Sequence, residues 1–435
     1  MKEKLLFELL QIAIGNRKTL SIVPTSAQWA ELFDLCKKQA LVAVAFIGVK
    51  NSFDSALHTE NFEVSSEPTL GMGELLYLKW LGMTAKVTQR NKVVTTSCAK
   101  LVKQYAHDGI QCCVLKGQGN LEYYPEELQD CRTAGDIDVW CSPMDPDGID
   151  IAVSDLDGQG AHYQKYYGKE AIVEYVRMLH RIAGTKPAEG ARYHHIDAPA
   201  VNGIEVEAHF RPLFLDSPLR NSRLQRWFRD NEQFGMHDAK IGDCVFPTPT
   251  VSFNAVYQLA HIYRHLFEEG VGLRQLLDYY FVLRVLHIEQ ESFADRTQSM
   301  AQWAEGMGVA VKSNEEIMHM LSRFGMKKFA GAVMYVLQMV FAMPDEYLIC
   351  KPNEKEGKFL LNEIMMAGNF GKYDDRIARG PKSFMGFKVS GSISHAIEKT
   401  KHNLRLLKHY PEEVLWEPFF RVYHWIWRKL ELWRY

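Results

Sequence analysis

The chain has 435 residues, which is long for one hydrophobic core and suggests two or three domains. Its 47% hydrophobic and 24% charged residues are typical of a soluble globular protein, and its eight cysteines contain no CxxC pair, which favours a reducing, cytoplasmic setting. A formal net charge of −2 excludes a global field that would recruit nucleic acid or an anionic membrane, so any phosphate site must be local, and we expect no sequence-specific binding of nucleic acid.

Residues 1–72 are predicted to form an N-terminal helical region. Apolar residues keep helical spacing over residues 1–50, and residues 51–70 are polar and read as a loop. Acidic and amide side chains interrupt the opening run MKEKLLFELLQIAIG, which indicates an amphipathic helix rather than a secretion signal. No stretch approaches the roughly twenty apolar residues that span a bilayer.

Residues 73–217 are predicted to form a core in which the period of the apolar residues changes. We expect, in chain order, a long helix (73–106), a strand (110–115), a short helix (119–128), a strand (136–141) and a crossover helix (169–183). Asn202-Gly203 between two β-like segments then predicts a hairpin. The fold class that follows is α+β, a small mixed β-sheet flanked by N-terminal and C-terminal helical regions.

Residues 218–435 are predicted to be almost entirely helical. We expect a long helical segment over 252–287 with a break at 270–272, then helices near 295–308, 313–323 and 325–343, a glycine-rich basic loop over 368–394, and two last helices. The loop is either a lid that closes on phosphate or an ordinary surface loop. The terminal FFRVYHWIWRKLELWRY packs in a core or interface, or makes peripheral membrane contact.

Asp136 and Asp138 are the centre of the predicted site. In a strand, residues i and i+2 point to the same side, so the two carboxylates converge while Ile137 and Val139 enter the core. Two like charges held together repel unless a cation or a proton lies between them. Mg²⁺, which takes one or two carboxylates together with substrate phosphates, suits such a pair.

The second strand of the predicted hairpin has one apolar and one polar face. The polar face carries Glu205, Glu207, His209 and Arg211. A solvated outer face explains this pattern alone, but the upstream aspartates favour a site in which one glutamate is a third carboxylate. His209 and Arg211 then bind substrate or neutralise the acids.

Metal-dependent phosphoryl or nucleotidyl transfer requires positioned metal ions and cations around the triphosphate. Lys116 and Arg132 suit triphosphate, as a point charge and a bidentate fork, or else form ion pairs with the acidic cluster. The glycine turn after the first strand, at Gly117, lets backbone N–H groups approach phosphate oxygens.

The segment AHIYRHLFEEGVGLRQLLDYY contributes a further set of polar residues. It carries His261 and His265, and then Arg274 and Asp278, each pair at i, i+4 spacing. Without an intervening glutamate HxxxH is a weak zinc motif. These residues form local pairs on helix faces, or His265, Arg274 and Asp278 belong to a wall of the cleft that contacts the acceptor or the base.

The motifs LKGxxxL, YP, R-x-x-GDID and VExHF resemble those of an uncharacterised nucleotidyltransferase family of bacteria, within the polymerase-beta-like nucleotidyltransferase superfamily. The resemblance implies transfer of a nucleoside monophosphate (NMP) from a nucleoside triphosphate (NTP) such as ATP to a hydroxyl of a small molecule, sugar or protein, with Mg²⁺ or Mn²⁺ as cofactor. It also implies that Asp136, Asp138 and Glu207 are the catalytic metal ligands, with Glu205 in reserve, and that Gly117-Gln118 is the phosphate-binding turn.

The chain departs from the superfamily pattern at two points. Gln118 replaces a small residue, and the gap from Gly117 to Asp136 is long, which indicates an inserted loop that carries Tyr123, Tyr124 and Pro125. Two alternatives therefore stay open. One is a glycosyltransferase whose Asp-x-Asp holds a nucleotide diphosphate, for which a longer Rossmann-like unit before the motif is expected. The other is a degenerate nucleotide-binding or scaffold protein.

Overall fold

The computed structural model describes residues 2–57, 71–154, 161–187, 190–232, 235–294, 311–374, 383–384, 387–388 and 391–433. Its helices are α1 Lys2–Ala13, α2 Ser26–Lys38, α3 Val42–Leu57, α4 Glu74–His107, α5 Glu126–Gln129, α6 Gly168–Ala183, α7 Pro218–Asp230, α8 Val251–Glu268, α9 Leu273–Ala294, α10 Asn314–Arg323, α11 Lys327–Phe341, α12 Glu354–Ala367, α13 Gly391–Leu407 and α14 Pro411–Trp433. Its strands are β1 Ile110–Leu115, β2 Ile137–Pro143, β3 Ile149–Ser154, β4 Ala161–Tyr166, β5 His195–Val201, β6 Ile204–His209, β7 Met236–Ile241, β8 Cys244–Pro249, β9 Ser383–Phe384 and β10 Phe387–Lys388.

The central sheet is mixed and has the strand order β1-β2-β6-β5. β2 pairs antiparallel with β1 and parallel with β6, and β5 pairs antiparallel with β6. Asn202 (φ 53°) and Gly203 (φ 72°) both adopt the left-handed conformation, as a tight two-residue hairpin turn requires. The α+β fold with helical flanks is confirmed.

The two faces of the sheet have different chemistry because side chains alternate along each strand. One face packs on α4 and α6 and buries, among others, Val114, Val139, Val206 and Ile172. The other face carries the polar side chains of β2 and β6, and α8 covers it: Phe253 of α8 stacks on Trp140 of β2 at 5.8 Å between ring centroids. The candidate site therefore lies between the polar face of the sheet and α8.

A second, larger apolar core joins the N-terminal helices to the C-terminal ones. The 34-residue helix α4 belongs to both cores, with Trp80 in the helical core and Leu101 against the sheet. α2 starts at a capping box in which the side chains of Thr25 and Gln28 each accept the other's backbone N–H.

The structure differs from the sequence-based expectations at several elements. α3 continues to Leu57, so helix replaces the first part of the expected loop, and β7 and β8 form a hairpin inside the region expected to be helical. That hairpin forms because Gly242 (φ 57°) supports its turn and because Ile241 and Phe246 are buried in the core of the sheet. α12 was not predicted. The helix expected near 295–308 and part of the 368–394 loop (375–382, 385–386 and 389–390) lie outside the described residues.

The last helix, α14, leaves a set of large apolar side chains exposed, among them Trp416, Phe419 and Trp425. None of the helices in the described part of the chain combines the length and the apolar content needed to cross a bilayer. Peripheral membrane contact through α14 stays a prediction.

Candidate active site

Asp138 and Glu207 lie side by side because their strands are parallel neighbours. Their Cα atoms are register partners in the β2–β6 pair, and one side-chain donor atom each from Asp138, Glu207 and His209 lies within 4.8 Å of the others. Asp136 precedes β2 by one residue and is exposed, whereas Asp138 is buried. The mouth of the site is thus marked by Asp136 and its floor by Asp138.

Asp138 is held by two basic side chains. Its Oδ1 lies 2.8 Å from Lys116 Nζ and 2.9 Å from His209 Nε2. Burial opposes ionisation of Asp138, but Lys116 and His209 outweigh it and hold the pKa of Asp138 well below its ordinary range. Burial lowers the pKa of His209, yet its hydrogen bonds to Asp138 and Glu207 outweigh this and raise it. Asp138 is therefore a carboxylate at neutral pH.

Lys116 reaches Asp138 through an uncommon backbone conformation. It follows β1 with φ 52° and ψ −160°, which a residue other than glycine adopts at a cost of ~1–3 kcal/mol. Burial lowers the pKa of Lys116, but Asp138, and more weakly Asp136 and Glu207, raise it above its ordinary value. The ammonium group is thus a fixed positive charge among the carboxylates.

The pKa of Asp136 changes in the opposite direction to that of Asp138. Repulsion from Asp138, followed by loss of hydration, raises the pKa of Asp136 to about 6, although Lys116 offsets part of this rise. Asp136 and Asp138 are thus held together against their repulsion, and an added cation would relieve that repulsion.

Glu207 contacts two histidines. Its Oε2 lies 3.2 Å from His209 Nε2 and 3.4 Å from His195 Nδ1. Burial raises the pKa of Glu207, but the hydrogen bond from His209 together with the charges of His209 and His195 outweighs burial, so the net change is downward. Glu205, two residues earlier on the same strand, is exposed and lies outside the groups of potential metal ligands found among the described residues.

The glycine turn after β1 forms a short 3₁₀ helix, Gly117–Tyr123, pinned from two sides. Gln118 is buried and donates its side-chain amide to Asn91 of α4, and Asn120 accepts hydrogen bonds from Asn254 and Gln258 of α8. Gly119 has no room for a side chain, since a Cβ there would lie 2.1 Å from the carbonyl oxygen of Val114. Gly117 takes φ 37°.

Arg132 forms a buried bidentate pair with Asp278 of α9. Its Nε and second terminal nitrogen lie 2.7 and 2.8 Å from the two carboxylate oxygens, and the Tyr124 hydroxyl donates to the same carboxylate at 2.6 Å. Burial lowers the pKa of Arg132, but Asp278 outweighs burial and raises it. The structure thus places Arg132 on Asp278 rather than on the acidic cluster.

Arg274 lies beside that pair, and no carboxylate of the described part of the chain forms an ion pair with it. One terminal nitrogen donates to the backbone oxygen of Thr133 at 2.7 Å, and the guanidinium covers the ring of Phe370. The buried Nε has no hydrogen-bond partner in the same described part. Burial, and then repulsion from Arg132, lower the pKa of Arg274 to about 10. Asp278 and Asp136 act in the opposite direction on the pKa of Arg274 but do not outweigh these two effects.

The wall opposite the sheet is formed by one stripe of α8. Tyr257, His261 and His265 follow one another at i, i+4 spacing, and the two imidazoles approach to 2.8 Å between their Nε2 atoms. Burial first, and the charge of Lys116 next, lower the pKa of His265 to about 4, so the ring is neutral. The buried hydroxyl of Tyr257 has no hydrogen-bond partner within the described ranges.

Arg211 points away from the carboxylates. Its guanidinium donates to the backbone oxygen of Tyr193 and lies 4.4 Å from the centroid of the Tyr193 ring. Residues that sequence reasoning missed are His194 and His195, whose rings lie 5.3 and 5.0 Å from that of His209. The adjacent pair in RYHHIDAP was the available signal, but its strand register was not readable.

The chain belongs to a family described as an uncharacterised nucleotidyltransferase, whose family model matches residues 25–304. This match extends from α2 through the whole sheet and into the segment after α9, so it includes all the site residues described above except Phe370. Neither curated proteins nor solved structures gave a match.

Proposed function

Since the chain belongs to a nucleotidyltransferase family, we propose that it transfers an NMP from an NTP to a hydroxyl group of a small molecule, sugar or protein in the cytoplasm. The observation that carries the proposal is the convergence of Asp138 and Glu207 on adjacent parallel strands, with Asp136 at the mouth and Lys116 beside them. No sequence-specific nucleic acid partner is part of it.

The donor set suits Mg²⁺ or Mn²⁺. Asp136, Asp138 and Glu207 offer carboxylate oxygens, the ligands that both ions take in proteins. The raised pKa of the exposed Asp136 supports a cation at this position, because Asp136 and Asp138 repel each other without one. When bound, such an ion neutralises charge on the triphosphate and orients it.

Cations of the chain itself would complete the phosphate site. Arg274 is the strongest candidate, since its buried Nε has no hydrogen-bond partner among the described residues and the neighbouring Asp278 is already paired with Arg132. Arg132 stays paired with Asp278 and also donates a hydrogen bond to the backbone oxygen of Thr133. Arg274 donates to the same oxygen, and this contact orients its guanidinium group. Lys116 stays close to Asp138 and adds charge from the side of the sheet.

The bond changes follow from the substrates. The acceptor oxygen forms a bond to the α-phosphorus, the bond from that phosphorus to the β-phosphate oxygen breaks, and pyrophosphate leaves. The proton of the acceptor hydroxyl goes to Glu207, which is ionised and partly exposed to the cleft. Tyr257, His261 and His265 line the opposite wall, where the base or the acceptor would contact them.

The test uses ATP labelled at the α-phosphate, with ATP labelled at the γ-phosphate beside it. Each is incubated with the protein, Mg²⁺ or Mn²⁺, and a metabolite and protein extract. We expect transfer of the α-label only, with release of pyrophosphate, and loss of transfer in Asp136→Ala/Asp138→Ala. Asp150→Asn, which changes an exposed aspartate on β3, is the matched control and keeps activity.

Other outcomes would support a different function. Equal label transfer by wild type and the double variant would contradict the mechanism. Nucleotide binding by calorimetry without turnover on any acceptor would favour a nucleotide-binding scaffold. Among the described residues four helices, α1 to α4, and no strand precede β1, whereas a glycosyltransferase is expected to have a Rossmann-like unit there.

A further inference from the structure

Three histidines meet beside the carboxylates of the site. One ring nitrogen each from His194, His195 and His209 lies within 4.8 Å of the others, and the ring centroids are 4.3–5.3 Å apart. His195 faces His209 directly as its register partner across β5 and β6. His194 precedes β5 and is fixed by its backbone oxygen, which accepts N–H groups from Phe210 and Arg211.

The rings carry nitrogen atoms that the fold leaves unused. Among the residues that the structure describes, His194 Nδ1, His195 Nε2 and His209 Nδ1 are buried atoms without a hydrogen-bond partner, and both His195 and His209 are only 2% exposed. Buried polar atoms are normally paired, because each one left without a partner costs ~1–3 kcal/mol. The rings also meet directly, since His195 Nδ1 lies 2.9 Å from His194 Nε2, and one nitrogen of each of the three rings is close enough to the others for a shared ligand.

The surroundings of His209 match those of a metal-binding imidazole. Its Nε2 lies 2.9 Å from Asp138 Oδ1 and 3.2 Å from Glu207 Oε2, while Nδ1 is the unpaired atom. Histidines that bind metal usually donate their second ring N–H to a carboxylate, which fixes the tautomer and the ring orientation. The carboxylates of the proposed Mg²⁺ site would therefore be the outer partners of a second site.

We propose that His194, His195 and His209 bind a divalent transition-metal ion, with Zn²⁺ as the preferred ion, next to the carboxylates and separate from any Mg²⁺ that they hold. Three imidazoles and an open fourth position form a known Zn²⁺ ligand set, and imidazole nitrogen selects Zn²⁺ over Mg²⁺. Bound there, the ion fixes His209 and, through it, the position of Asp138 and Glu207.

The test needs no nucleotide, so its outcome is independent of the proposed transferase activity. Protein stripped with EDTA is titrated with ZnCl₂ and with MgCl₂ in a calorimeter, and X-ray absorption at the zinc edge counts imidazole ligands. We expect one Zn²⁺ per chain with three imidazole nitrogens at about 2.0–2.1 Å. His194→Asn and His195→Asn should each weaken Zn²⁺ binding at least ~10-fold.

His319→Asn is the matched control, because His319 is exposed on α10, and it should bind Zn²⁺ as wild type does. The half-buried position of His194 makes His194→Asn usable even where His195→Asn fails to fold. A first shell of oxygens only, or equal affinity in His194→Asn and wild type, would overturn the inference. Zn²⁺ binding without NMP transfer would support the Zn²⁺ site and contradict the proposed transferase function. NMP transfer without Zn²⁺ binding would support the transferase function and contradict the Zn²⁺ site.

Discussion

Replacing Asp136 by asparagine tests whether the Asp136–Asp138 pair is held together at an energetic cost. The pKa of Asp136 is raised to about 6 in the fold, against ~3.9 for an aspartate in an unfolded chain. The folded protein thus retains its proton at a pH where the unfolded chain has lost it. Stability from this group is present below about pH 4 and is lost as the pH rises through 6.

The size of the effect follows from that difference. At ~1.4 kcal/mol per pKa unit it cannot exceed ~3 kcal/mol, and because Asp136 is exposed, solvent screening reduces the expected value to ~1 kcal/mol. In EDTA at pH 8 we expect Asp136→Asn to raise the free energy of unfolding by that amount, measured by urea denaturation. At pH 4 the two proteins should be equally stable.

Two comparisons complete the test. Asp138→Asn leaves Lys116 and His209 without their shared carboxylate, so it should lower the free energy of unfolding by ~3–5 kcal/mol. Mg²⁺ should stabilise wild type but not Asp136→Asn, since a ligand stabilises only the state that binds it. A loss of stability in Asp136→Asn at pH 8 without metal would refute the reasoning, because Asp136 would then have a favourable partner.

Three further predictions concern stability. Asp278→Asn breaks the buried pair with Arg132 and should lower the free energy of unfolding by ~3–5 kcal/mol, as measured by urea denaturation. Replacing both residues by apolar ones should lower it much less. Equal losses in the two variants would contradict this prediction. Gly119→Ala forces a methyl group onto a backbone oxygen and should lower the free energy of unfolding by at least ~1–3 kcal/mol. Gly82→Ala, at an exposed position in α4 with open space, should raise it by ~0.5–1 kcal/mol. Loss of stability in both variants would contradict the close-contact argument. Burial, and then Asp216, raise the pKa of Glu413 to about 7, so the fold is destabilised as the pH rises through 7. Glu413→Gln should therefore raise the melting temperature at pH 8.5 and change it little at pH 5. A lower melting temperature of the variant at pH 8.5 would contradict this prediction.

The carboxylates of the site were readable from the sequence because their positions depend on local periodicity. Alternation in β2 places Asp136 and Asp138 on one side, and alternation in β6 places Glu207 on the polar face. The Asn202-Gly203 turn predicted the hairpin that carries Glu207, and the structure contains it. The motifs at 114–141 and 206–210 were also enough to predict the family, which the family match confirms.

Partners far apart in the chain were not readable. Arg132 pairs with Asp278, 146 residues later, and Gln118 bonds to a residue of α4, since the folded helices bring these side chains together. The β7–β8 hairpin was missed because its strands gain stability from burial against the sheet, which no local pattern records.

By itself the sequence determined the family, the α+β class, and which strands carry the acids, since residue type and spacing along the chain are sufficient for each of these. Tertiary structure alone decided which side chains touch. An irregularity between Ala198 and Val201 shifts the β5–β6 register by one residue. With uninterrupted pairing from the turn, Ile196 would face His209; the shift places His195 there instead. One unpaired residue in a strand thus brings the histidines together, because a shift of one exchanges the two faces of a strand.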